Sequence, residues 1–193
     1  MRVALAGNPN TGKTSLFNAL TGSRAHVGNY PGITVESRHG SAHLAGHNIE
    51  LIDVPGCYSL TARSPEEEVA HDVLAGRLDG DVDAIIVVVD ASNLSRNLYL
   101  VQQLQELGPP LVVALNMRDV AADAGLRVDA SVLAQRLGAP VAEIDARRGQ
   151  GLDALSTALG KALEGQASQA QVVLAPSDAS KIQQAVEALQ LSR

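Results

Sequence analysis

The sequence predicts an α/β protein in three layers, helix on sheet on helix (αβα), around a six-stranded, mostly parallel sheet with one antiparallel edge hairpin. Three observations carry this. Short Val/Ile/Leu-rich runs alternate with segments of helical periodicity along most of the 193 residues. Residues 3–6, 84–89 and 111–115 are almost continuously apolar, as strands covered on both faces must be. Two further strands are separated only by Ala45, Gly46 and His47, too short a link for a crossover helix, so they form the antiparallel hairpin.

In chain order the strands are expected at 2–6, 37–44, 48–53, 84–90, 111–116 and 141–144. Helices fall between them at 13–21, 65–76, 94–107, 130–137 and 152–164. The second helix has the clearest start: Ser64 as N-cap, Pro65 at the first helical position and Glu67 three residues after the cap make a capping box. The domain is expected to span residues 1–165. Beyond it, 166–193 turn to Gln, Ala and Ser, and Ser177-Asp178 opens one more helix with Ile182, Val186 and Leu189 on one stripe. That segment reads as a linker and the start of a truncated helical piece.

Composition narrows the function. With four aromatic residues (Phe17, Tyr30, Tyr58, Tyr99) and no Trp, the chain has no stacking platform for single-stranded nucleic acid. A net charge of −6 argues against a nucleic-acid or anionic-membrane surface. The only cysteine, Cys57, has no disulfide partner within the chain, the N-terminus lacks a signal-peptide pattern, and no apolar run approaches the ~18 residues a membrane helix needs. A cytosolic segment without direct membrane insertion is expected.

Gly7-Asn8-Pro9-Asn10-Thr11-Gly12-Lys13-Thr14 matches GxxxxGK[ST] between the first strand and the first helix, the context a phosphate-binding loop requires. Its glycines let successive N–H groups turn around phosphates, and the helix terminus, continuing through Ser15, adds partial positive charge. Lys13 supplies a point charge to the β- and γ-phosphates, and the Thr14 hydroxyl is a Mg²⁺ ligand. This leaves ATP and GTP open. Asp53 and Asp90 both end strands, but Asp53-Val54-Pro55-Gly56 is the only DxxG in the chain, so Asp53 is expected to reach Mg²⁺ through water and the Gly56 N–H to meet the γ-phosphate. Asp90 is read as structural. Asn116-Met117-Arg118-Asp119 is the only NxxD, and a carboxylate accepting two hydrogen bonds suits the guanine edge, which selects GTP.

These residues resemble the Ras-like G domains and, within them, the cytosolic G domain of the ferrous iron transport protein B (FeoB) family. The most specific stretches are 7–22 and 27–36, the latter similar to that family's first switch; Met117, where most GTPases carry Lys, is typical of the family. The resemblance implies that Thr34 closes over the γ-phosphate and ligates Mg²⁺. It also implies that Asp145-Ala146-Arg147 is the guanine loop, with the Ala146 N–H as donor to O6. Asp145 replaces the common Ser and Met117 lacks the Lys stem, so modest affinity and fast GDP release are expected. Cys57 stands where Ras-like enzymes carry a water-positioning Gln, which implies slow hydrolysis. Asn10, with first-switch carbonyls, resembles the K⁺ site of potassium-stimulated GTPases. Glu66 and Glu67 are read as capping residues rather than water-orienting groups.

Family membership further implies a regulatory domain that changes conformation at 27–36 and 53–63. The domain would then lie at the cytoplasmic face of the bacterial inner membrane, followed in the full-length protein by a helical segment and a membrane permease for Fe²⁺. Self-association into a homo-oligomer is compatible with the sequence. His39, His43 and His47 do not read as an iron site, because strand residues four apart are separated by ~13 Å; they are expected to be exposed hairpin residues. A ribosome-associated GTPase would carry a basic appendage, and a P-loop ATPase would need NxxD to be accidental.

Overall fold

Period-2 alternation along the strands decides which helix covers which face of the sheet. The structure, a computed structural model, describes residues 1–22, 25–30, 32–61 and 64–165. The strands are β1 (Arg2–Gly7), β2 (Ala25–Asn29), β3 (Glu36–Leu44), β4 (His47–Asp53), β5 (Ala84–Asp90), β6 (Leu111–Asn116) and β7 (Val141–Glu143). They lie in the order β2-β3-β4-β1-β5-β6-β7. The five from β4 to β7 are parallel, and β3 and β2 add antiparallel pairs.

The helices are α1 (Lys13–Thr21), α2 (Pro65–Leu74), α3 (Leu94–Glu106), α4 (Arg118–Asp123), α5 (Ala130–Leu137) and α6 (Leu152–Leu163). On one face Ala4, Ile52, Ile85, Val87 and Val113 meet Val69 and Val73 of α2, Leu100 and Leu104 of α3, and Leu133 of α5. On the other, Val3, Leu5, Leu51, Ile86 and Val112 meet Leu16 and Phe17 of α1 and Leu155 and Leu159 of α6. Both layers are aliphatic apart from Phe17, Tyr30 and Cys57. Because the central strands are parallel, the loops leaving β1, β4, β6 and β7 all emerge at one end of the sheet, where ligands of open α/β sheets bind.

The expected architecture is present, with three corrections. The sheet has seven strands rather than six. The extra one, β2, reads Ala-His-Val-Gly-Asn with every side chain exposed, so it has no apolar alternation to announce it and is held by backbone pairing from Ala25↔Gly40 to Asn29↔Glu36. The β3–β4 hairpin is therefore not the sheet edge, since β2 covers its outer side. Its turn needs only Ala45 and Gly46, at φ 52° and 75°, which makes His47 the first strand residue. The short α4 is the third correction.

His39 is not the exposed residue expected of it. Its Nδ1 lies 3.0 Å from Glu50 Oε1 and its Nε2 3.0 Å from Asp79 Oδ2. Among the described residues no group of three or more His, Cys, Asp or Glu side chains is placed to hold a metal ion. No helix among them is long and apolar enough to cross a membrane. The expected helix after Ser177 and the linker before it lie outside the described residues.

Gly40 lets α1 lie close on β3. A Cβ there would stand 2.9 Å from Phe17 Cζ, and Phe17 is fully buried. Gly40→Val is expected to lower stability by about 1–3 kcal/mol through overpacking, read as a fall in the urea midpoint with the slope unchanged.

Candidate nucleotide site

The loop from Gly7 to Thr14 is shaped by close approaches. A Cβ on Gly7 would stand 2.8 Å from the Val88 carbonyl, and one on Gly12, at φ 91°, would collide with the Asn116 amide. Asn10 takes a left-handed conformation at φ 66°, which Asn tolerates better than most residues. Thr11 Oγ1 donates to Asn8 O at 2.9 Å, closing the turn from inside, while Pro9 and Asn10 are exposed. Gly12 caps α1 with no side-chain hydrogen bond and no acidic residue in the first turn, which leaves the first N–H groups of α1 to face an anion.

Lys13 Nζ donates to Asp53 Oδ1, with the two side chains only 12% and 8% exposed. Lys13, Thr14, Thr34 and Asp53 line one open cleft of about 320 Å³, together with Val35, Glu36, Arg38, Val54, Pro55 and Glu66. Four residues from three separate motifs thus meet in space. Two hydroxyls and a carboxylate are hard oxygen donors of the kind Mg²⁺ takes, so the residues present fit that ion. Two larger hollows, of about 720 and 580 Å³, lie by α4–α5 and by α5–α6, away from these side chains.

The NxxD end of the site, expected to meet the base, is organised by Asn116, which is 5% exposed. Its Nδ2 donates to Thr11 O at 2.9 Å and its Oδ1 accepts from Ala146 N at 3.1 Å, so one amide joins the loops after β1, β6 and β7. Met117 sits at φ 59° as N-cap of α4 and turns the chain so that Asp119 falls in the first turn of that helix. Asp119 is exposed, and its carboxylate has no hydrogen-bond or ion-pair partner among the described residues. Asp145 folds its own loop: Oδ1 accepts from Arg148 N at 2.9 Å and Oδ2 from Arg148 Nη1 at 3.1 Å, while its backbone pairs with Gln150. Arg147 and Ser15 are exposed.

Asn10 and Gly56 do not line the Lys13–Asp53 cleft, nor do the base-end residues, so the motifs form neighbouring stations rather than one cavity. Gly56 lies against Pro9, where a Cβ would stand 3.4 Å from the Pro9 Cα. Cys57 is 1% exposed, and burial, reinforced by Glu67, pushes its thiol up to about 12. Tyr30 is 2% exposed, and burial likewise pushes its hydroxyl up to about 12. Asp90 holds Ser92 N at 2.8 Å and Ser92 Oγ at 2.7 Å and takes no part in the cleft, in keeping with its structural reading.

Of the charged cleft residues, Arg38 alone has no place in the sequence reading; Glu36 falls at the end of the 27–36 switch segment. Glu66 was accounted for by the helix start, and Ser64 Oγ does accept from Glu67 N at 3.3 Å. Arg38 is brought in by β3–β4 register, which pairs it with Asp53 and which no local pattern reveals.

The fold and the loops at its C-terminal edge define a P-loop G domain of the Ras-like type. The family model described as Ferrous iron transport protein B matches residues 1–159. The Fe(2+) transporter FeoB of Escherichia coli K12 is 48% identical over 162 residues, covering 83% of this chain and 21% of that protein. Among solved structures, the cytosolic domain of L. pneumophila FeoB superposes with a TM-score of 0.78 at 46% identity, covering 84% of this chain and 68% of that one. An S. thermophilus NFeoB E67A mutant bound to GDP gives 0.76 at 40% identity, covering 90% of this chain and 65% of that one. The chain belongs to the ferrous iron transport protein B family. It spans about a fifth of the length of the curated relatives it matches.

Removing the Asn116 amide strands two buried partners, Thr11 O and Ala146 N. Asn116→Ala is expected to cost about 1–3 kcal/mol and to abolish slowed hydrogen exchange at the Ala146 amide.

Proposed function

We propose that this chain is a guanine-nucleotide switch that binds GTP and GDP with Mg²⁺ and hydrolyses GTP slowly. The observation that carries the reading is the meeting of Lys13, Thr14, Thr34 and Asp53 around one cleft beside an uncapped α1 N-terminus. Gly7, Asn8, Pro9, Thr11 and Gly12 shape the phosphate cradle, and Lys13 leaves Asp53 to meet the β- and γ-phosphates. Thr14, Thr34 and, through water, Asp53 would hold Mg²⁺, which supplies charge neutralisation to the phosphates when bound. Gly56 turns its N–H to the γ-phosphate without a Cβ intervening.

Asp119, free of other partners, accepts from the guanine edge, and Met117 and the loop of Asp145, Ala146 and Arg147 flank the base. The GDP named for the S. thermophilus relative supports the same ligand here. Residues 27–36 and 53–63 change conformation with the nucleotide, and the domain serves a ferrous iron transporter from the cytoplasmic face of the bacterial inner membrane. Its partners are the helical segment and permease of the same full-length protein, residues 166–193 opening the former; no nucleic acid is involved.

Calorimetry tests the base assignment. The wild type is expected to bind GTP and GDP and not ATP. Asp119→Asn should lose at least about tenfold in GTP affinity, roughly 1.4 kcal/mol, and gain xanthosine nucleotide; tight ATP binding would overturn the reading. Hydrolysis rates in matched KCl and NaCl test the cation. K⁺ is expected to accelerate turnover and Na⁺ not to, and Asn10→Ala should remove the difference.

A further inference from the structure

Hydrolysis at this site lacks a water-ordering side chain at position 57. The Cys57 thiol is buried with Val54 and Val69 in the core and does not line the cleft. The residues that follow are instead gripped from outside. The Arg96 guanidinium lies 3.9 Å from the centroid of the Tyr58 ring. Leu60 N–H donates to Gln103 Oε1 at 2.8 Å, and Gln103 Nε2 reaches Tyr99 OH at 3.4 Å. Cys57 N–H donates to Gly7 O at 3.3 Å.

Arg96 is itself tied to the phosphate loop. Asn8, 3% exposed, donates Nδ2 to the Arg96 carbonyl at 3.2 Å. Residues 57–60 are therefore pinned at three points: to the loop directly through Gly7, to the loop through Arg96 and Asn8, and to α3 through Gln103. The guanidinium suits the task because it is planar, permanently charged and stacks on an aromatic face.

We infer that Arg96 is a positioning residue for GTP hydrolysis: by clamping Tyr58 it holds the Gly56–Cys57 backbone in register with the phosphate loop. This rests on the GTPase reading above. Arg96 does not line the cleft, so its influence runs through Tyr58 and reaches turnover rather than nucleotide binding. In a chain with no Trp and three Tyr, one of the few aromatics is thereby committed to the segment after DxxG.

The test measures GTP hydrolysis, fluorescent GDP binding and thermal unfolding for the wild type, R96A, R96K, Y58L and the R96A/Y58L double variant. R96A and Y58L are each expected to lower kcat about five- to tenfold, the range that loss of a cation–π clamp allows. KM and the GDP dissociation constant should stay within about twofold. The double variant should be no slower than the slower single one, as for two groups acting as one unit, and R96K should regain part of the loss.

An unchanged kcat in R96A, losses that add in the double variant, or GDP binding that weakens in step with kcat would overturn the inference. Should R96A fail to fold, R96K and Y58L decide by the same criteria. Failure of the wild type to bind guanine nucleotide would strike the GTPase reading itself, and is seen separately in the binding arm.

Discussion

The buried amide of Asn116 is the contact on which the site depends. It stands at the end of β6, between the loops that leave β1 and β7, and reaches Thr11 on one side and Ala146 on the other. Both partners are interior, so losing either bond leaves a polar backbone group unsatisfied, which costs more than the bond's own modest net contribution. The amide also dictates its neighbours: Gly12 has no room for a Cβ because the Asn116 Nδ2 occupies the place it would take. One side chain thus sets the spacing between the loop after β1 and the loop after β7.

That spacing is only as rigid as the sheet behind it. β1, β5 and β6 are buried on both faces, with Val3, Leu5, Ile86 and Val112 in one layer and Ala4, Ile85, Val87 and Val113 in the other. Such strands cannot slip by one residue without exchanging their layers, so the loops at their ends inherit a fixed register. On the other side of the site the constraint weakens. Every residue of β2 is exposed, its strand pairing among the described residues is to β3 alone, and it carries part of the segment proposed to move with nucleotide. The groups that set the loop spacing thus stand on central strands, and the segment proposed to move lies at the edge, where local stability is lowest.

Much of this was legible in the chain. The doubly covered strands announce themselves as apolar runs, and the GxxxxGKT, DxxG and NxxD motifs sit on loops that a parallel sheet must bring to one edge. The choice of Asp53 over Asp90 followed from DxxG alone, and the structure gives Asp90 the local capping work of Ser92. What was not legible shares one physical cause. β2 has no hydrophobic pattern because neither of its faces is buried, and α4 is too short to show a helical period. Arg38 enters the cleft through strand register and Glu66 through the direction of α2. His39 meets Asp79 across forty residues of sequence.

Residue type and spacing along the chain therefore decided the fold class and the GxxxxGKT, DxxG and NxxD loops, because each of these is written in local chemistry: which residue can turn, which can donate, which must be buried. Folding alone decided that Lys13 is neutralised by Asp53, that Asn116 is spent on two loops, that Cys57 is sealed in the core and that Arg96 covers Tyr58. Those facts are pairings between distant segments. They follow from how the strands lie side by side and how α3 approaches the loop after β4, which no short window of sequence contains.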